Sequence, residues 1–315
     1  MLTRRQIRVK VMQVIYAQHN GNPQDLKEAQ MAIKKSCFDM LDLYLLNFTL
    51  FKALWEFAKE QNQIQSRDRK SNNPVNPDYA IIENLEPLAF LAQQPALEKL
   101  LKAHKINFWE LQFNFVKSLF ESLTKSDFFI TFKLLENPSP KKQLKLLIDL
   151  FKEEIAPNET LYLYLEDLNI HWVDDLPVVN TYLLKQLRKI KVNSNSSMEF
   201  PSLESKIDDI NFGLDLYEKV IINQDELNKE FEGKTPNWDP ERIARLDSVL
   251  IQIAIAELLF FPEIPPKVTL NEYLEIAKEY STPRSNSFIN GVLDKLVKEY
   301  MSNNRMNKKG RGLME

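Results

Sequence analysis

The chain has 315 residues, 44% of them apolar, enough for one large or two medium domains with a sizeable core. A single cysteine, Cys37, excludes a disulfide framework and a Cys-based zinc site, and His19, His104 and His171 show no metal-ligand spacing. The net charge of -3 argues against a general nucleic-acid binder, yet both ends are basic: residues 1–24 hold Arg4, Arg5, Arg8 and Lys10 and no acid, and Arg305, Lys308, Lys309 and Arg311 follow the body.

Six glycines against sixteen prolines, with apolar runs of 3.6-residue period, predict an all-α protein. Thr3 with Gln6 reads as a capping box that opens the first helix. On it Ile7, Val11, Val14, Ile15 and Gln18 share one face and leave Arg4, Arg5 and Arg8 on the other. Asn20-Gly21-Asn22-Pro23 ends that helix. A long helix is expected over roughly 24–64, then a polar loop from Gln65 to Asp78. Helices follow near 86–104, 107–123, 127–136, 139–155, 159–167 and 174–191. A loop rich in Ser and Asn, 193–202, leads to helices near 205–222 and 223–232.

Asp239 as N-cap and Pro240 at the first helical position start the next helix. From Leu246 to Phe261 it is apolar almost all round, which places it at the centre of its subdomain. Glu257, embedded in that run, predicts a buried hydrogen bond or ion pair, with Arg245 and Arg242 as partners by proximity in sequence. Thr269 and Glu272 read as a second capping box, and Ser285 or Ser287 as the cap of a last helix ending near Tyr300. The longest apolar stretch, Val249 to Phe261, is too short to span a bilayer, and no secretory signal opens the chain, so a cytoplasmic protein is expected.

No phosphate-cradling glycine loop, G-x-S-x-G or H-E-x-x-H is present, and Cys37 has no histidine near it, so an enzyme is not expected; neither is a cofactor or a bound metal. The strongest chemical signal is the arginine cluster of the first helix, because planar guanidinium groups pair with phosphate in a bidentate way. Its bland counterpart is a solvated basic face. Cations at a helix start cost a few tenths of a kcal/mol, which favours a use other than local stability. Tyr16, Tyr280 and Phe288 are candidate stacking platforms for bases, although each is also an ordinary core residue type. Asn290 and Gly291 sit within the last helix, where glycine costs about 1 kcal/mol relative to alanine, so they mark close approach by another helix or by a ligand.

The run Arg4-Arg5-Gln6-Ile7-Arg8, with Gln13-Val14-Ile15-Tyr16-Ala17-Gln18, resembles the arginine-rich first helix of the NusB transcription-antitermination family. Residues 251–258, 264–272, 274–278 and 288–294 follow that family's C-terminal pattern in order. The resemblance implies a NusB-like helical bundle of two subdomains with a large helical insertion in the N-terminal part. Segment by segment, residues 1–24 form a basic RNA-binding first helix, 25–204 the helical insertion, 205–301 the C-terminal bundle and 302–315 a basic disordered tail. It implies a factor for ribosomal RNA transcription that binds single-stranded boxA-like RNA together with NusE, a small-subunit ribosomal protein, and the elongation complex. Arg4, Arg5, Arg8, Gln13 and Tyr16 are then expected to face RNA, with Tyr280, Arg284, Ser287 and Phe288 nearby, and Asp247 to lie near the NusE interface.

Three arginine–phosphate contacts predict a salt slope of about -2 on single-stranded RNA. The loop before Phe288 departs from the family: Arg284 stands in Ser281-Thr282-Pro283-Arg284-Ser285, where a glycine and an acidic residue are usual, which alters the expected RNA preference. Two other readings follow. One is a NusB-fold scaffold for protein partners that has lost RNA binding. The other is a methyltransferase carrying a NusB-like domain, disfavoured because the glycine-rich turns and catalytic cysteines are missing.

Overall fold

In the computed structural model, residues 1–19, 21, 25–67, 75–191, 198–231 and 244–313 are described. They form sixteen α-helices and no strand. In chain order these are α1 (Arg4–His19), α2 (Leu26–Arg67), α3 (Pro77–Glu83), α4 (Glu86–Ala92), α5 (Pro95–His104), α6 (Phe108–Leu111), α7 (Phe113–Lys125) and α8 (Asp127–Lys133). Next come α9 (Pro140–Leu150), α10 (Glu159–Leu168), α11 (Trp172–Leu187), α12 (Ile207–Ile222), α13 (Gln224–Phe231), α14 (Arg245–Phe260), α15 (Pro266–Tyr280) and α16 (Ser285–Ser302). The all-α class expected from the glycine count is the one observed. Asp239, Pro240 and Arg242, expected at the head of α14, lie outside the described residues.

Two expected helices, 86–104 and 107–123, are divided, and other boundaries differ for local reasons. The stretch 86–104 breaks at Gln93–Gln94 because Pro95 has no N–H to continue α4 and instead occupies the first position of α5. Asn76, expected in a loop, accepts the Asp78 N–H at 3.0 Å and caps α3, with Pro77 at its first position. Residues 151–155 continue α9 as one π-helical turn.

The chain divides into two units. One comprises Phe38–Ser202 with Met1, the other Leu2–Cys37 with Leu203–Glu315. The first is built around the later part of α2, whose Tyr44, Phe48, Phe51 and Phe57 are buried among other aromatic rings. Its indoles are satisfied by backbone: Trp109 donates to the Leu46 carbonyl at 2.8 Å, Trp55 to Glu83 at 3.0 Å and Trp172 to Asp39 at 2.9 Å.

In the second unit α14 is central, as its all-round apolar sequence predicts, and packs against α1, α12, α13, α15 and α16. The middle of α1 is also enclosed: Ile7, Arg8, Val9, Lys10, Val11, Met12 and Ile15 are all buried, because α12, α14 and α15 cover more than one face. The expected division into an apolar and an open basic face is therefore corrected. One approach to α1 depends on a glycine. A Cβ on Gly213 of α12 would lie 2.3 Å from the Ile7 side chain of α1.

The expected disordered tail is a second correction as far as it is described. Arg305 forms a two-armed pair with Glu230 at 3.0 and 2.8 Å, Lys308 donates to the Phe261 carbonyl at 3.0 Å, and the Lys309 N–H to Pro262 at 3.0 Å. Composition alone missed that Glu230 of α13 offers Arg305 a partner and that the Phe261 and Pro262 carbonyls take the Lys308 ammonium and the Lys309 N–H.

Candidate nucleic-acid interface

The arginines of α1 are placed by the helices that enclose it. Arg8, only 2% exposed, directs Nε and Nη2 to the two oxygens of Glu257, each at 2.7 Å. Glu257 is itself fully buried and also accepts from the Thr269 hydroxyl at 2.8 Å and the Tyr273 hydroxyl at 3.0 Å. Both carboxylate oxygens thus accept two hydrogen bonds, the condition under which a buried charge is tolerated. Burial works to lower the Arg8 pKa, but the hydrogen bonds and charge of Glu257 outweigh it and hold it above the ordinary value. Burial and the neighbouring Glu257 push the Tyr273 hydroxyl well up, so it stays a donor.

Three expectations are corrected here. Arg8 is a structural counter-ion and not an open phosphate ligand. Glu257 pairs with Arg8 and not with Arg245. Thr269 and Glu272 make no capping box, because α15 begins three residues earlier, at Pro266, which leaves Thr269 free to serve Glu257. The first capping box is half visible: Gln6 reaches back to the Thr3 N–H at 3.2 Å.

Arg5 makes its own two-armed pair with Glu272, at 3.0 and 2.9 Å, with 39% of its side chain exposed. Burial works to raise the Glu272 pKa, but the hydrogen bond from Arg5 and the charges of Arg8 and Arg5 bring it below the ordinary carboxylate value. Arg4 pairs with Asp209 of α12 at 2.8 Å, its guanidinium 4.9 Å from the Phe212 ring centroid, and stays 47% exposed. A cleft of about 560 Å³ opens beside them, lined by Thr3, Arg4, Arg5, Ile264, Pro265 and Val268 together with the carboxylates of Glu263 and Glu272.

The other expected residues gather at the opposite end of α1. α1 and α14 run antiparallel, since Arg8 meets Glu257 while Arg245 Nη1 donates to the His19 carbonyl at 3.3 Å. Near that second end Asp247 is buried and accepts from the Ser281 hydroxyl at 2.6 Å, and the same hydroxyl contacts Ser285 at 2.9 Å. Asp247 is therefore an anchor for the α15–α16 loop and not an open partner contact. Ser285 is the first residue of α16 and lends its hydroxyl to this network, so neither it nor Ser287 caps the helix. Phe288 is 4% exposed, a core residue and not a stacking platform.

Arg284 and Ser287 are exposed, Tyr280 and Gln13 are half-buried, and Tyr16 is 38% exposed. Arg4 and Tyr16 are separated by twelve residues of α1, about 18 Å. Asn290 and Gly291 are exposed too, and nothing lies within 4 Å of the place a Gly291 Cβ would occupy. No neighbouring helix requires this glycine. The close helix contact belongs to Gly213, which the sequence reading passed over; its only signal was a glycine within the helix expected near 205–222.

Residues 181–298 match the NusB family. A transcription antitermination protein NusB from Salinibacter ruber is 43% identical over 103 residues, 33% of this chain and 64% of that protein. Its counterpart from Chloroherpeton thalassium is 38% identical over 133 residues, 41% of this chain and 62% of the relative. That from Geotalea uraniireducens is 34% identical over 111 residues, 35% of this chain and 76% of the relative. The chain belongs to the NusB family. It spans less than two thirds of the length of the first two relatives. The family match takes in α12 to α16, while α1 and most of the Phe38–Ser202 unit fall outside residues 181–298. No described helix is long and apolar enough to cross a membrane.

Proposed function

We propose that this NusB-family chain is a non-enzymatic RNA-binding transcription antitermination factor, acting on boxA-type RNA of ribosomal RNA transcripts in the cytoplasm together with NusE. The observation that carries the reading is that the family match covers α16 and the loop before it, where Arg284, Ser287, Asn290 and Gly291 are exposed. An exposed glycine inside a helix, with open space around it, suits a sugar–phosphate chain lying against bare backbone. Arg284 supplies charge at the start of this surface, and half-exposed Tyr280 and exposed Tyr16 supply rings. Arg4 and Arg5 contribute by exchanging a carboxylate for a phosphate, a weaker role than open arginines have. Arg8 takes no part, so the arginines of α1 account for a salt slope nearer -1.4 than -2, at ~0.7 per contact.

The test is fluorescence anisotropy with a short boxA-like RNA, with and without NusE, at two salt concentrations. Salt-sensitive binding that tightens with NusE supports the reading, and Arg284→Glu should weaken it about tenfold. No binding in either condition replaces it with the second reading, a NusB-fold scaffold for protein partners. The carboxylate partners of Arg4, Arg5 and Arg8 favour that alternative.

A further inference from the structure

The Phe38–Ser202 unit carries a basic, ring-lined cleft of its own. From Leu176 to Met198 the chain has no acidic residue but holds Lys185, Arg188, Lys189 and Lys191. Lys185 and Lys189 line a cleft of about 400 Å³ together with Phe90, Tyr182 and Phe200, a size within the usual range of small-ligand sites. The cleft is firmly built. Buried Gln94 accepts the Met198 N–H at 2.9 Å, and Gln186 donates to the Glu199 carbonyl at 3.2 Å while accepting the Tyr44 hydroxyl at 2.6 Å. Tyr182 is braced edge-on against Tyr44, centroids 5.7 Å apart, and Phe200 against Phe48 at 5.1 Å. Both rings remain half-exposed.

The ordinary reading of cations at a helix end is that they complement the negative end of its dipole. That accounts for Lys185, in the last turn of α11. It reaches Lys189 as well, one residue past the C-cap Arg188 at the same end of the helix. It does not account for aromatic rings lining the same cleft as these lysines. Lysines along a groove with aromatic surfaces inside it are the arrangement by which proteins hold single strands: the cations take phosphates and the rings take bases, whatever the sequence. Glu199 is the one acidic side chain among the residues lining the cleft, and burial together with its charge holds the Tyr182 hydroxyl pKa above its ordinary value.

We propose that this cleft is a second single-stranded RNA site, sequence-tolerant, with Lys185 and Lys189 on phosphates and Tyr182 stacked on a base. The proposal rests on the RNA-binding reading of the chain only in preferring RNA to an acidic protein segment.

Its test uses the full chain and a short oligouridine carrying 4-thiouridine, with cross-links mapped by mass spectrometry and affinity followed by anisotropy at two salt concentrations. Cross-links are expected within residues 182–200. Lys185→Glu with Lys189→Glu, both exposed positions, should weaken binding more than tenfold and reduce the salt slope by about 1.4. Tyr182→Ala should weaken it about tenfold with the slope unchanged. Absence of cross-links there, or affinity indifferent to the lysines, overturns the proposal; so does polyglutamate displacing the oligouridine at lower concentration than unlabelled RNA, which would assign the cleft to an acidic protein. Failure of the boxA reading is read separately, on boxA-like RNA with Arg284→Glu, and leaves the 182–200 cross-link in place.

Discussion

Arg8 and Glu257 stand 249 positions apart in the chain and meet through two parallel hydrogen bonds of 2.7 Å, with neither side chain open to solvent. Removing one partner strands the other as an unpaired buried charge. Arg8→Met or Glu257→Gln should each cost about 3–5 kcal/mol in denaturant unfolding, and the double variant clearly less than their sum. Additive losses, or a single loss below about 1 kcal/mol, would show that the pair does not act as a unit.

Ser281→Ala removes the hydroxyl that Asp247 accepts from, leaving a buried carboxylate without that donor. The expected loss is about 1–3 kcal/mol. Amide exchange should quicken first at residues 281–285, where the Ser281, Thr282 and Ser285 hydroxyls form one network. Exchange that quickens uniformly along the chain would locate the role of Ser281 elsewhere.

Two alanine substitutions should act with opposite sign. Gly213→Ala forces a methyl against Ile7 and should destabilise by about 1–3 kcal/mol. Gly291→Ala enters open space on a helix and should stabilise by up to about 1 kcal/mol while weakening RNA binding. Unchanged RNA affinity in a stabilised Gly291→Ala chain would remove Gly291 from the proposed RNA surface.

Burial brings the Lys308 ammonium down from 10.5 to about 8. Between those values the undocked segment binds the more protons, so docking strengthens as pH rises from about 8 to about 10.5 and is weakest below that window. A side-chain nitrogen titration by NMR should show a midpoint near 8; a midpoint near 10.5 would mean that the ammonium stays solvated.

The helical class, the central place of α14 and most helix boundaries were legible because each depends on local periodicity and on proline or cap residues. The buried pair was legible only in part. Glu257 announced itself as a charge inside an apolar run, but its partner came from the far end of the chain, where nearness in sequence is no guide. Arg8 was misjudged because a helical periodicity reports one buried face, while the middle of α1 is covered from several sides. Phe288 was expected near RNA from the family resemblance, although its residue type suits a core equally well, and the core is where it lies. The docking of the segment beyond Ser302 was illegible because its anchors, Glu230 and the Phe261 and Pro262 carbonyls, lie far from it in the sequence.

The enclosure of α1 also orders events in time. Its ion-pair partner Asp209 follows Arg4 by 205 positions, so a ribosome adding ~5–20 residues per second makes the first helix roughly 10–40 s before that partner exists. Closing so long a loop adds little to the equilibrium cost, since each doubling of length costs only about 0.6 kcal/mol. The delay is the larger burden. Ile7, Val11 and Ile15 must wait uncovered while the whole intervening unit is synthesised, so the newborn first helix presents bare apolar surface until α12 and α14 arrive.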